Sequence, residues 1–454
     1  MPALEIKLVM VQGKFAHLRI GALCSAAMLA AVPAVAAPPA APLSILPAPA
    51  AAPAPTIQPL PVIEPAPAPV TPWKLSDAQA LLGVITGIEA EGLIAADYQP
   101  GALRAAIAAG EGEALNAQAA RSFNWLAEDL RDGRTPITAR LQWFAVDPDQ
   151  DANPNAALMA KAQAAHDVAG VLASLTPTHP DYAVLKAALA AAPAAERAKI
   201  RANMDRWRWM PHDLGIQYLM TNVPEFQLRL TVRDKIIRTY RTIVGKPGKT
   251  QTPQLSETVE GVIFNPTWTV PQSIVKGEGL GARLIGNPAA ALRQGYVVTR
   301  SANGTINVVQ QPGAGNSLGF LKLDMPNPHA IFLHDTNARG LFNSTFRALS
   351  HGCVRTERAV ELGMTLAILG AGMAPEDAAA ISRSGTYTRV PITRTMPVYI
   401  AYFTMGQDIT GKLSTFADIY DRDAAILTSF AQPRQVKTAQ RTSTEAIIKL
   451  DNPI

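Results

Sequence analysis

The chain has 454 residues and 48% hydrophobic content, enough for two or three domains with separate cores. Its formal charge of +5 is spread over the chain, with 17% charged residues and no dense Lys/Arg block, which argues against a nucleic-acid partner. Such a mildly basic chain suits an anionic polymer or a membrane surface, without fixing a reaction.

Residues 1–36 read as an export signal. Lys7, Lys14 and Arg19 form a basic region, and Ile20 to Val32 is an apolar stretch too short to span a bilayer comfortably. Ala34-Val35-Ala36 fits the small-residue cleavage rule. The long basic region leaves Met10 as an alternative start, and an uncleaved N-terminal anchor is the other reading of this segment. Either way, the chain is expected outside the cytoplasm, in the periplasm or cell envelope. Residues 37–72 are almost wholly Ala and Pro, which favours an extended linker. Composition does not separate a semi-rigid tether from a passive spacer.

Residues 73–205 read as a helical scaffold domain. Ser76-Asp77 is placed to cap a helix carrying Leu81, Leu82, Ile85 and Ile88 on one face. A second helix follows from Leu115, Ala119, Phe123, Leu126 and Leu130. A third is predicted over 155–175, and a fourth from Tyr182 through Leu189. His166 and His179 stand alone and read as surface residues.

From residue 206 the period changes. Arg206-Trp207-Arg208-Trp209 alternates aromatic and basic residues, and Phe226, Leu228, Leu230 and Val232 alternate with polar partners, as in a half-buried strand. Further strands are predicted at 236–244, 259–264, 295–300, 306–310 and 330–334. The fold class is thus multidomain α plus β: a helical scaffold domain, then a mostly β, largely antiparallel domain over 206–425, and a C-terminal tail at 426–454.

The chemistry centres on Ser350-His351-Gly352-Cys353-Val354-Arg355. Cys353 is one of two cysteines, and Cys24 lies in the export signal, so the mature chain would carry one unpaired thiol into an oxidising compartment. An unpaired cysteine there is a liability unless its reactivity is used. His334 ends an apolar run nineteen positions earlier. A thiol and an imidazole supply a nucleophile and a proton acceptor, the minimum for acyl transfer. The N–H groups of Gly352 and Cys353 are candidates to hold an oxyanion. Thr356 is placed to cap a following helix, which would set Cys353 at a helix N-terminus and favour its thiolate. The histidines and the thiol lack zinc spacing, so no metal is expected.

His334-Asp335-Thr336 followed by the 350–355 hexapeptide resembles the signature of L,D-transpeptidases with a YkuD-type catalytic domain. Asn222-Val223-Pro224, Val244-Gly245-Lys246-Pro247-Gly248, Phe264-Asn265-Pro266, Gln311-Pro312-Gly313 and Asp418-Ile419-Tyr420 extend the resemblance to the large YcbB-like branch. The resemblance implies a peptidoglycan enzyme, without cofactor, that forms 3→3 cross-links. Cys353 would be the nucleophile on a tetrapeptide donor stem, releasing D-alanine, and a second stem would be the acceptor. His334 would carry the proton, Gly352 and Cys353 would hold the oxyanion, and His351 would be supportive. For Arg355 a catalytic and a turn-fixing role stand level. Residues 335–349 would be a capping flap. Core packing is favoured over glycan contact for Trp207, Trp209 and Trp268. Carbapenem-type β-lactams would be inhibitors, and other wall-synthesis proteins are conceivable partners. An L,D-carboxypeptidase using water, and a non-catalytic wall-binding scaffold, are the competing functions.

Overall fold

Regular structure begins where the Ala/Pro-rich composition gives way to spaced leucines. The computed structural model describes residues 72–146, 148–435, 447–450 and 452. The export signal expected over 1–36, Cys24 and the linker up to residue 71 lie outside the described residues.

The helical part comprises α1 (Leu75–Gly87), α2 (Pro100–Ala109), α3 (Glu113–Asp132), α4 (Asp149–Ala152), α5 (Asn155–Ala165), α6 (Val168–Ala173), α7 (Pro180–Ala191) and α8 (Ala194–Trp207). The 3.6-residue pattern read in α3 is the one buried: Leu115, Ala119, Phe123, Leu126 and Leu130 all face inward. They join Leu81, Ile85 and Leu172 in one core. Lys74, not Ser76 or Asp77, precedes α1, and the buried Asp77 carboxylate instead meets His166 Nδ1 at 3.0 Å. The single helix expected over 155–175 is two. His166 takes a left-handed φ of 50°, and the Asp167 carboxylate accepts the Gly170 N–H at 2.8 Å, which starts a new helix.

Helices α7 and α8 pack on the β domain. Leu185, Leu189, Ile200 and Met204 bury against Tyr218, Met220, Tyr399 and Phe403. The Arg206–Trp209 alternation therefore ends a helix and does not begin a strand. Trp207 stacks between His179 and Phe403, at 4.1 and 4.4 Å, and Trp209 packs on Ile426. His179 is thus no surface residue: it is wedged against Trp207, and burial holds its pKa down to about 4.

The strands are β1 (Gln217–Asn222), β2 (Gln227–Val232), β3 (Lys235–Gly245), β4 (Leu255–Thr258) and β5 (Gly261–Phe264). An excursion follows: β6 (Trp268–Thr269), α9 (Gln272–Gly277), α10 (Leu280–Gly286), α11 (Pro288–Arg293), β7 (Tyr296–Arg300) and β8 (Ile306–Gln310). The chain returns through β9 (Leu321–Asp324), β10 (Leu333–His334), β11 (Ala348–Ser350) and β12 (Val354–Thr356). It continues with α12 (Ala359–Ala371), α13 (Pro375–Arg383), β13 (Thr388–Pro391), β14 (Pro397–Ala401), the β15 (Met405–Gln407) and β16 (Leu413–Thr415) pair, and α14 (Asp423–Ala431).

Among the described residues the main sheet runs β13-β5-β9-β10-β12-β3-β2-β1-β14-β4, with β11 beside β3. It is mixed, because β1/β14, β10/β12 and β3/β11 pair in parallel. Leu219 and Leu230 from one half meet Val262, Leu323, Leu333 and Val354 from the other, together with Leu362 and Leu366 of α12. One core shared by both halves requires the sheet to curl around it. A helical region followed by this mostly β domain is the fold class read from the sequence. The excursion is different. Its strands form a separate sheet, β6-β8-β7, over its own core of Val270, Val275, Leu280, Leu284 and Val308. Helices α9 to α11, each of six or seven residues, are too short to show an amphipathic period.

Candidate active site

Strand register brings the expected residues together. On β10, Leu333 lies opposite Val354, and His334 lies opposite Arg355 on one side and Lys322 on the other. Side chains alternate along a strand. Leu333, Val354, Leu321 and Leu323 therefore point into the core, while His334, Arg355 and Lys322 share the opposite face. One step back along the ladder, Phe332 and Cys353 emerge on that same face. Strand spacing and rise put the Cα atoms of His334 and Cys353 about 8 Å apart, a gap that an imidazole and a thiol can close between them.

Cys353 is half-buried, and its S–H donates to the Ala330 carbonyl at 3.6 Å. Ala330 holds a left-handed φ of 52°. Asn327 braces this turn: its amide donates to the carbonyls of Met325 and Ile331, and its oxygen accepts the Ile331 N–H at 3.1 Å. Burial pushes the thiol pKa up, and the Phe332 N–H, Lys322 and Arg355 oppose that in turn. Burial holds His334 down to about 3, with Arg355 and Lys322 adding to the effect. Its Nδ1 is buried without a partner among the described residues. Both shifts favour the uncharged thiol and imidazole over a thiolate–imidazolium pair.

The expected helix dipole is absent from this balance. Cys353 leads into strand β12, Arg358 precedes α12 in a left-handed conformation, and the helix begins only at Ala359. A helix-terminal charge acts within about one turn. Thr356, expected to cap, is a buried strand residue whose hydroxyl finds no partner among the described residues.

The loop before Cys353 is held from both sides. The Ser350 hydroxyl donates to the Cys353 carbonyl at 2.6 Å and accepts the Gly352 N–H at 3.1 Å. Gly352 has a φ of 121°, and a Cβ there would come within 3.1 Å of Ile331 Cδ1, so a side chain is strained on both counts. The Gly352 carbonyl accepts from Thr252 Oγ1 at 2.7 Å, and the same hydroxyl accepts the Gly245 N–H at 2.8 Å. Tyr420 donates its phenol to the Gly245 carbonyl and accepts the Thr252 N–H at 3.2 Å. Gly352's N–H, expected at an oxyanion, is therefore occupied, which leaves the Cys353 N–H beside its own sulfur. Thr252 gave no signal in sequence, and Tyr420 was visible only as part of a resemblance.

His351 points away from the pair. Its Nε2 lies 3.1 Å from a Glu278 oxygen, both side chains about half exposed, which links the loop to the excursion. Residues 335–349 contain a 3₁₀ turn at Arg339–Asn343. Asp335 anchors this segment by accepting the Phe320 N–H at 2.9 Å and pairing with Arg339 at 2.7 Å.

A half-buried thiol, a neutral imidazole on the same sheet face and a braced N–H beside the sulfur are the parts of a cysteine acyl-transfer site. Residues 216–367 match the L,D-transpeptidase catalytic domain family, YkuD, and residues 72–189 match the Scaffold domain. The chain thus carries a YkuD-type L,D-transpeptidase catalytic domain behind a Scaffold domain, the pairing found in YcbB-like proteins. It is 29% identical over 245 residues to a Haemophilus influenzae protein provisionally named an L,D-transpeptidase, covering 50% of this chain and 48% of that one. The chain therefore spans about half the length of this curated relative. Solved structures similar to it include an L,D-transpeptidase from Mycobacterium smegmatis (14% identity, 41% of this chain and 58% of that one, TM-score 0.21). Another is L,D-transpeptidase 1 from Mycobacterium tuberculosis (13% identity, 41% and 62%, TM-score 0.18).

Proposed function

We propose that the protein is a peptidoglycan L,D-transpeptidase that forms 3→3 cross-links through a Cys353 thioester. The observation that supports this is the shared sheet face: the β10/β12 register sets Cys353 and His334 on one side of the sheet, within the residues that match the YkuD catalytic domain. The Cys353 sulfur attacks the carbonyl of the third residue of a tetrapeptide stem while its proton passes to His334. The oxyanion is met by the Cys353 N–H, whose position the Ser350 and Thr252 contacts hold. His334 returns the proton to the departing nitrogen, and D-alanine leaves. An acceptor amine then attacks the thioester, gives its proton to His334, and the amide forms as the thiol is restored. Gly352 acts through its backbone conformation, His351 from the rim, and Arg355 as one of two cations on the face. The strained ring of a carbapenem-type β-lactam offers the same thiol an acyl group that leaves slowly. Such a substrate places the working enzyme in the cell envelope, in keeping with the export signal read over residues 1–36.

The test is mass spectrometry of wild-type and Cys353→Ala protein with purified disaccharide-tetrapeptide. The expected result is a dimer lacking one D-alanine, in wild type only. Tripeptide without dimer would make the protein an L,D-carboxypeptidase, and no change in either folded protein would leave a wall-binding role.

A further inference from the structure

Among the described residues, two cations, Lys322 and Arg355, share the Cys353 face without a carboxylate counter-ion. Among the described residues no carboxylate pairs with Lys322 or Arg355, and the Arg355 Nε is buried without a hydrogen-bond partner. The acidic residues nearest in sequence are already engaged. Asp324, two positions along β9 from Lys322, is held by Arg389 at 2.6 Å. Asp335, next to His334, is held by Arg339 and by the Phe320 N–H. Lys322 is opposite His334 in register, yet its Nζ is drawn back over the Phe332 ring, 4.3 Å from the centroid. Phe332 is the neighbour of Cys353 across the ladder. The ammonium therefore sits over the strand next to the nucleophile, about one strand spacing, or ~5 Å, from the line of the sulfur. In a peptide whose last amide bond is attacked, the terminal carboxylate is three bonds from the attacked carbon, which fits that offset.

Resting on the L,D-transpeptidase reading, we propose that Lys322, with Arg355 beside it, binds the terminal carboxylate of the departing residue and so restricts attack to the last bond of the stem. Lys322 is a specificity residue in this account, because it contacts the substrate and takes no part in proton transfer. An ammonium–carboxylate contact in a partly desolvated cleft contributes about 10- to 100-fold in rate.

The experiment measures thioester formation on Cys353 by intact-mass spectrometry, using tetrapeptide donors that end in a free carboxylate or in a carboxamide. Wild type is expected to lose about 10- to 100-fold on amidation. Lys322→Gln is expected to be slow with both donors and to have lost the preference, and Lys322→Arg to recover it. A Lys322→Gln protein that still prefers the free acid as strongly as wild type overturns the proposal. Equal losses on both donors, with slower alkylation of Cys353 by iodoacetamide, also overturn it, because the charge would then be acting on the thiol. Absence of thioester with either donor in wild type, while iodoacetamide still labels Cys353, removes the acyl-enzyme reading itself, and the carboxylate role with it.

Discussion

Replacing Thr252 by Val changes a hydroxyl to a methyl at nearly constant volume. Thr252 is fully buried, and its hydroxyl joins two backbone groups, the Gly245 N–H at 2.8 Å and the Gly352 carbonyl at 2.7 Å. Both groups are buried and would be left unpaired. Each costs about 1–3 kcal/mol, so Thr252→Val should lose about 2–4 kcal/mol after some relaxation. The loop it releases carries Cys353, and a displacement near 1 Å costs about 100-fold in a positioned reaction. Thioester formation should therefore fall about 10- to 100-fold. Thr252→Ser keeps the hydroxyl and should recover most of both losses. Urea unfolding and intact-mass acylation kinetics provide the two readouts. A valine variant with wild-type stability and acylation, or a serine variant as impaired as valine, would show that the hydroxyl does not position the loop.

Four other outcomes are expected. Iodoacetamide alkylation of the free protein should rise with pH through a midpoint above the ordinary thiol value of about 8.5, since burial pushes the Cys353 pKa up; a midpoint below 7 would mean a thiolate–imidazolium pair at rest. Arg434→Ala should destabilise by about 3–5 kcal/mol, because the buried side chain is bonded to Asp129 and Glu128 and its loss takes a cation from the buried Asp129 carboxylate, which keeps its bond from the Tyr98 hydroxyl; an unchanged thermal midpoint refutes this. Burial and then Glu260 raise Glu257 to about 7, so the fold prefers it protonated and loses stability as pH climbs from the unfolded carboxyl range through 7; Glu257→Gln should match wild type at pH 4 and exceed it at pH 8 in urea, and a gain at pH 4 would be wrong in sign. His351→Ala breaks only a half-exposed pair and should slow acylation less than about threefold, whereas a hundredfold loss would place it in the chemistry.

Long periodic elements were legible from composition and spacing alone. α3 buries the face that its pattern announced, whereas β2, expected to be half-buried, is covered on both faces, with Arg229 and Thr231 buried as well as Leu228 and Leu230. What was missed is what periodicity cannot carry. α8 is rich in Ala and Arg, and it buries different sides against two clusters, with Ile200 and Met204 in one and Ala202 in the other. It therefore has no single apolar stripe to detect. β7 and β8 have strand patterns, but no local feature tells which sheet a strand joins; the core formed by Val275, Leu280 and Val308 decides that. Arg434, read as part of a tail, is buried by partners more than three hundred residues earlier in the chain.

The candidate site was legible in its nucleophile, because an unpaired cysteine in a chain expected to be exported is chemically conspicuous, and in His334 through its pairing with that thiol and through resemblance. Lys322 was invisible, since only the register of β9 against β10 sets it there. Its place on this face cannot be explained as activation of the Cys353–His334 pair. Lys322 and Arg355 favour the thiolate, but they also disfavour the imidazolium. Moving a proton from sulfur to nitrogen transfers positive charge within one neighbourhood, so nearby cations lower both pKa values and leave the gap between them much the same. Burial beside the nucleophile holds the Arg355 guanidinium pKa down, which is a desolvation cost. Because the two cations bring the proton transfer so little, the offsetting interaction has to come from a group that approaches from outside, and an anionic end of the substrate meets that requirement.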